Sequence, residues 1–140
     1  MSVVIFHNPA CGTSRNVLEI INKSGYDPIV IEYIQTGWTR PQLQALFAAA
    51  DLTPRQALRT SKSPAEELGL LDPSVSDDAL LDAMLEHPVL VNRPFVCTKK
   101  GVKLCRPSDA VLDVLENWPE GPLVKEDGEM VLNEKGERVD

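Results

Sequence analysis

The chain has no second cysteine where a dithiol redox motif needs one. Its three cysteines are Cys11, Cys97 and Cys105, and the position three after Cys11 is Ser14, so a Cys-x-x-Cys cycle is excluded. An odd count also speaks against a disulfide scaffold, and two histidines without an HExxH or similar cluster leave no sign of a metal site. No apolar run approaches the ~18–20 residues of a membrane span. The N-terminus opens directly on a strand-like segment where a signal peptide would stand, and the expectation is a cytoplasmic protein. Positive charge is scarce as well: 14 Lys and Arg stand against 21 Asp and Glu, a net charge of −7. That balance argues against a nucleic-acid partner, because a phosphate-binding surface needs a basic excess.

At 140 residues the chain is expected to be a single domain, 1–140, able to bury roughly 68–70% of the surface its unfolded form exposes. Much of the negative charge is local. Glu120, Glu126, Asp127, Glu129, Glu134, Glu137 and Asp140 face only Lys125, Lys135 and Arg138 in the last segment. The rest is nearer balance and leaves room for a locally positive pocket.

Val3-Val4-Ile5-Phe6 reads as a strand, and Thr13 to Ser24 as a helix with Val17, Leu18, Ile20 and Ile21 on one face and Gly25 as its left-handed cap. Ile29 to Ile34, β-branched and opened by Pro28, predicts a second strand parallel to the first. From Trp38 to His87 the pattern changes to short helices. Start signals stand at Thr39-Arg40-Pro41-Gln42, Thr53-Pro54-Arg55-Gln56 and Ser63-Pro64-Ala65-Glu66, and Ser76 caps a last helix whose Leu80, Leu81, Met84 and Leu85 form a core stripe. Phe95-Val96-Cys97-Thr98 and Val102-Lys103-Leu104-Cys105 flank a glycine turn and predict a hairpin, with a final helix opening at Arg106-Pro107-Ser108-Asp109. The order βα, β, helical insert, ββα describes an α/β protein. Beyond residue 118 turn signals dominate, and extended arms or a weak hairpin lying over the body are expected.

Cys11 falls where the first strand gives way to the first helix. Unpaired backbone N–H groups and the positive end of the helix dipole favour an anion there, and such positions bring a cysteine pKa from ~8.5 into the range ~3.5–7.5. The same amides suit an oxyanion substrate. Cys97, in mid-strand, reads as a core thiol. Cys105, beside Arg106, is ambiguous, with a core role favoured. Arg15, Arg40, Arg55 and Arg138 read as a solvated face. Arg93, at the turn into the hairpin, and Arg106, at its exit, converge near Cys11 if the hairpin joins the sheet of the first strand, and Arg59 would reach in from the insert. Spacing alone leaves that convergence open. Guanidinium forks suit tetrahedral oxyanions through paired, charge-assisted hydrogen bonds. His7 has two readings, a stabiliser of the thiolate or a loop and packing residue. Ser14 also has two, a hydroxyl for the sulfur or the bound oxyanion, or simply a first-turn helix residue.

With HNPACGTSR at 7–15, Arg59, LVNRPFV at 90–96, LCRPS at 104–108 and the acidic KEDGE at 125–129, nearly the whole chain resembles the glutathione- and glutaredoxin-dependent arsenate reductases. The resemblance implies a thioredoxin/glutaredoxin-like mixed sheet (1–38 and 88–118), a helical insertion (39–87) and an extended C-terminal tail (119–140). It implies Cys11 as nucleophile, Arg59, Arg93 and Arg106 as oxyanion ligands, and supporting roles for His7, Ser14 and a cis Pro94. It further implies arsenate as substrate, glutathione as co-substrate, glutaredoxin as partner, no bound cofactor or metal, and a monomer. Arsenate reduction on a phosphatase loop is rejected, because the arginine of that loop would fall at Val17. A glutathione-dependent thiol reductase and a redox-responsive regulator of RNA polymerase are rival readings. The three arginines favour the oxyanion enzyme over both.

Overall fold

The computed structural model describes residues 1–139, and the chain forms two units, Met1–Ile31 with Arg93–Asp140, and Glu32–Asn92. The sequence reading placed the edges of the insert a few residues inside these limits, at 39 and 87.

In the first unit β1 (Val4–Phe6), β2 (Ile29–Ile31), β3 (Phe95–Thr98) and β4 (Gly101–Leu104) make one sheet in the order β2-β1-β3-β4. β1 runs parallel to β2, with Ile5 opposite Val30, and antiparallel to β3, with Ile5 opposite Val96. The β3–β4 hairpin turns at Gly101, whose φ of 141° is one that side chains other than hydrogen disfavour. Alternation sends Ile5 and Val96 to one face. There they join Val17, Ile20 and Ile21 of α1 (Gly12–Lys23) and Val111 and Leu112 from the 3-10 segment Ser108–Val114 in a single core. The prediction for α1 holds to within a residue at each end.

Of the two arrangements expected for the C-terminal residues, extended arms or a weak hairpin, the hairpin forms, and it is built into the core. β5 (Leu123–Val124) and β6 (Met130–Leu132) pair antiparallel, and Leu123, Val131 and Leu132 belong to the same core, each no more than 2% exposed. The tail is therefore part of the folded body of this unit. Its approach is close enough to require glycine: a Cβ on Gly121, at φ 81°, would lie 2.4 Å from the Asn133 carbonyl oxygen.

The second unit is helical: α2 (Tyr33–Thr36), α3 (Arg40–Ala49), α4 (Pro54–Ala57) and α5 (Asp77–Glu86), followed by the 3-10 turn Pro88–Leu90. Two of the three proline-bearing start signals form capping boxes, with Thr39 accepting from the Gln42 N–H and Thr53 from the Gln56 N–H, each at 3.2 Å. Ser76 caps α5 by accepting the Ala79 N–H. The α5 stripe is core, with Leu80, Leu81 and Met84 buried.

Three expectations for regular structure are corrected. The strand predicted to reach Ile34 stops at Ile31, because Tyr33 turns into α2, is fully buried and stacks its ring 5.1 Å from that of Trp38. No helix follows Ser63: its hydroxyl oxygen accepts the Ala65 N–H at 3.3 Å, two residues on, in place of the N–H three residues on that the other caps take, and the stretch is a series of turns with Gly69 at φ 72°. The last helix is the 3-10 segment at 108–114, an i to i+3 coil.

The four arginines read as solvated are all engaged. Arg15 pairs with Glu126, Arg40 with Asp78 and Asp82, and Arg138 with Asp109 and Asp113. Arg55 donates to the carbonyls of Leu70, Asp72 and Val75. No helix among the described residues is long and apolar enough to cross a membrane.

Candidate active site

The loop between β1 and α1 is built by its own polar groups. Asn8 accepts the Ala10 N–H on its side chain at 3.0 Å and the Cys11 N–H on its carbonyl at 3.0 Å, which folds Pro9 and Ala10 into a tight turn. Ser14, fully buried, accepts the Asn8 N–H on its hydroxyl at 3.1 Å and bonds Nδ1 of His7 at 2.6 Å. His7 is in turn fixed to the sheet by its N–H, which donates to the Ile31 carbonyl at 2.7 Å. His7 thus meets the site through Ser14, and Asn8 and Ser14 together set where the chain enters the helix.

Cys11 is the N-cap of α1, in extended conformation. No hydrogen bond of strict capping geometry reaches its side chain, yet the amides of Ser14 and Thr13 act on the sulfur as dipoles. The residue is only 7% exposed. Burial pushes the thiol up; the Ser14 amide, the charge and hydrogen bond of Arg93, and the Thr13 amide together outweigh it, leaving Cys11 below its ordinary value.

Arg93 precedes β3, and the Arg93–Pro94 peptide is cis. Arg106 follows β4, with Nη1 4.0 Å from the Cys11 sulfur and 3.1 Å from the Arg93 carbonyl, to which it donates. The Arg106–Pro107 peptide is cis too. Pairing of β1 with β3 and of β3 with β4 is what carries both arginines to the end of the sheet where Cys11 sits. Ser108, buried, donates to the Thr13 carbonyl at 3.4 Å and ties the Arg106 segment to the first turn of α1.

Of the residues singled out in the sequence, Cys11, His7, Ser14, Arg93, Pro94 and Arg106 all lie in the first unit. Arg59 lies in the second, on a short antiparallel pairing: its N–H donates to the Leu90 carbonyl at 2.7 Å, and the Asn92 N–H donates to the Ala57 carbonyl at 2.8 Å. Its guanidinium Nε donates to the Ser61 carbonyl, and the residue is 9% exposed.

The other cysteines are poor thiolates. Burial raises Cys97, and it pushes Cys105, fully buried, up to about 12. All three are free thiols. No group of three or more His, Cys, Asp or Glu among the described residues is gathered to hold a metal ion. Sequence reasoning missed Asn8 as the builder of the loop, although Asn-Pro is a turn signal. It also missed Arg15, whose partner Glu126 is remote in sequence.

A parallel β-α-β start, an antiparallel hairpin and a lone cysteine capping the first helix define a thioredoxin-like fold with a single-thiol, cation-lined site. The ArsC family model matches residues 6–114. The chain is 66% identical over 137 residues to arsenate reductase ArsI2 of Synechocystis sp., covering 98% of both chains, and 49% identical over 138 residues to the arsenate reductase of Escherichia coli K12, covering 99% of this chain and 98% of that one. An arsenate reductase structure from Vibrio cholerae superposes with a TM-score of 0.78 at 40% identity, covering 82% of this chain and 98% of that one. The chain belongs to the ArsC family.

Proposed function

We propose that this protein reduces arsenate to arsenite, with glutathione and glutaredoxin as the source of electrons. The observation that carries the reading is the meeting of one acidified thiol, Cys11, with two guanidiniums, Arg93 and Arg106, at a helix start. An anionic nucleophile and an anionic substrate repel each other, and fixed cations with oriented amides offset that repulsion. For Arg59 the assignment as a further oxyanion ligand rests on the sequence resemblance.

In the proposed cycle the Cys11 thiolate attacks the arsenic of arsenate, an As–S bond forms, and one oxygen leaves as water. Arsenic is still As(V). A glutathione thiolate then attacks the Cys11 sulfur; the S–S bond forms, the As–S bond breaks, and its electron pair stays on arsenic, which leaves as As(III). Glutaredoxin takes the glutathione from the mixed disulfide and returns Cys11 as thiolate. The external thiol is needed because Ser14 occupies the resolving position, and Cys97 and Cys105 are held protonated at neutral pH. The reaction takes place at sulfur and arsenic, and the protein supplies nucleophile, amides and cations.

The test is arsenate turnover with each thiol donor omitted in turn. Activity is expected only when glutathione and glutaredoxin are both present, and Cys11→Ser is expected to abolish it. Turnover that survives Cys11→Ser, or that proceeds without either donor, overturns the proposal.

A further inference from the structure

The KEDGE turn takes no part in the chemistry above, yet it is where the C-terminal hairpin grips the site. Between β5 and β6 the turn is closed by Gly128 N–H to the Lys125 carbonyl (2.9 Å) and Lys125 N–H to the Glu129 carbonyl (2.8 Å), with Gly128 at φ 88°. Its second residue, Glu126, accepts on both carboxylate oxygens from Arg15, Nε at 2.9 Å and Nη2 at 3.0 Å, and its own N–H donates to the Asn16 side chain at 3.0 Å. The third guanidinium nitrogen, Nη1, donates to the Pro9 carbonyl at 2.9 Å, two residues before Cys11. The pair lies across Gly12: a methyl there would sit 3.6 Å from Arg15 Nη2 and 3.9 Å from Glu126 Oε1.

The neighbouring residue of the same turn holds the other wall. Lys125, its side chain only 9% exposed, lies 3.4 Å from a carboxylate oxygen of Asp109, three residues beyond Arg106. Asp109 is also held by Arg138 at 3.2 Å. Adjacent residues of one turn thus fasten the loop that carries Cys11 and the segment that carries Arg106.

We propose that the 125–129 turn is a positioning clamp, with Arg15 and Glu126 as positioning residues that fix the Pro9–Gly12 loop and hold the nucleophile in register with Arg106. An exposed ion pair alone contributes little, and both side chains here are 44% exposed. Geometry is what the pair supplies. A planar fork that makes two bonds to one carboxylate and a third to a backbone carbonyl has one solution in space, and lysine cannot reproduce it. Small displacements of a nucleophile are costly in rate.

The inference rests on Cys11 being the nucleophile, and its test reads Cys11 without arsenate. The thiolate absorbance of Cys11, taken as the difference from Cys11→Ser, is titrated in Arg15→Lys and Glu126→Gln. Arg15→Lys keeps the charge but loses the fork, and an upward shift of about half a pKa unit is expected. Glu126→Gln removes a negative charge, which by Coulomb's law alone would lower the thiol; the clamp requires that it rise by a similar amount. In both, kcat/KM for arsenate should fall by a factor of about three, the same increment read as a rate. Thermal midpoints within about 2 °C of the parent separate positioning from unfolding. An unchanged Cys11 in Arg15→Lys, or a lowered one in Glu126→Gln, overturns the clamp. Absence of arsenate turnover in the unmodified protein would overturn the proposed function while the titration still decides the clamp.

Discussion

Replacing Ser14 with alanine removes one oxygen from a site with no solvent contact, where that oxygen serves the Asn8 N–H at 3.1 Å and His7 Nδ1 at 2.6 Å. The methyl left behind fills nearly the same space, so the cavity term is small and the polar term decides. Two net hydrogen bonds are lost at ~1 kcal/mol each, and stranding a buried donor raises the total to about 2–3 kcal/mol. For 140 residues an unfolding entropy of about 2.1 cal/mol/K per residue converts that into a fall of roughly 7–10 °C in Tm. The loss falls on the turn that aims the Thr13 and Ser14 amides, so Cys11 should titrate closer to a free thiol. Differential scanning calorimetry and thiolate absorbance measure the two effects on one sample. A Tm within about 2 °C of the parent with Cys11 unmoved would refute the reasoning, because the hydroxyl would then not be what holds the loop.

Arg93→Lys and Arg106→Lys should each raise KM for arsenate by about tenfold or more with the charge preserved, since an ammonium cannot form the fork; steady-state kinetics checks this, and wild-type KM in both variants contradicts it. Cys105 is raised from 9.0 to about 12 by burial. A group protonated more firmly when folded stabilises the fold fully below pH 9 and loses that contribution as pH climbs toward 12, at ~1.4 kcal/mol per unit and about 4 kcal/mol in all. Urea denaturation between pH 7 and 10.5 should therefore fall less steeply in Cys105→Ala than in the parent, and parallel profiles would contradict the assignment.

The parts of the fold legible in the sequence are those decided locally. Val4 to Phe6 and Phe95 to Thr98 are strands because β-branched and aromatic residues fit a pleated, half-buried surface, and α1 ends at Gly25 because glycine accepts its φ of 92°. Thr39 and Thr53 cap helices because each finds its own glutamine three residues on. Ser63 has the same local pattern, but its hydroxyl donates back to the Arg59 carbonyl and accepts the N–H two residues on, not three, an arrangement set by the fold of that segment. Tyr33 sits in a β-branched run and leaves it to stack on Trp38. The site divides in the same way. Cys11 was legible from the strand-to-helix switch. Placing Arg93 and Arg106 beside it required the strand order β1-β3-β4, which spacing does not specify, and Arg15 looked solvated because its partner is 111 residues away.

The role of His7 follows from counting protons on Ser14. A serine hydroxyl has one hydrogen to give, and its oxygen already accepts from the Asn8 amide. When Nδ1 of His7 carries no hydrogen, Ser14 donates to it and has nothing left for the sulfur. When Nδ1 is protonated, the ring donates to Ser14 instead, and the hydroxyl hydrogen is released from His7. A supporting role for His7, which rests on the sequence resemblance, would therefore run through the reversal of this hydrogen bond over and above any charge. His7→Asn separates the two, because an asparagine amide in the Nδ1 position donates at every pH. The variant should keep Cys11 within about 0.3 unit of the parent. His7→Ala removes the acceptor together with the donor, so the Ser14 hydrogen is again free, and Cys11 should stay near the parent, unlike in Ser14→Ala. If both His7 variants raise Cys11, the imidazolium charge is what matters and the reversal of the Ser14 hydroxyl is wrong.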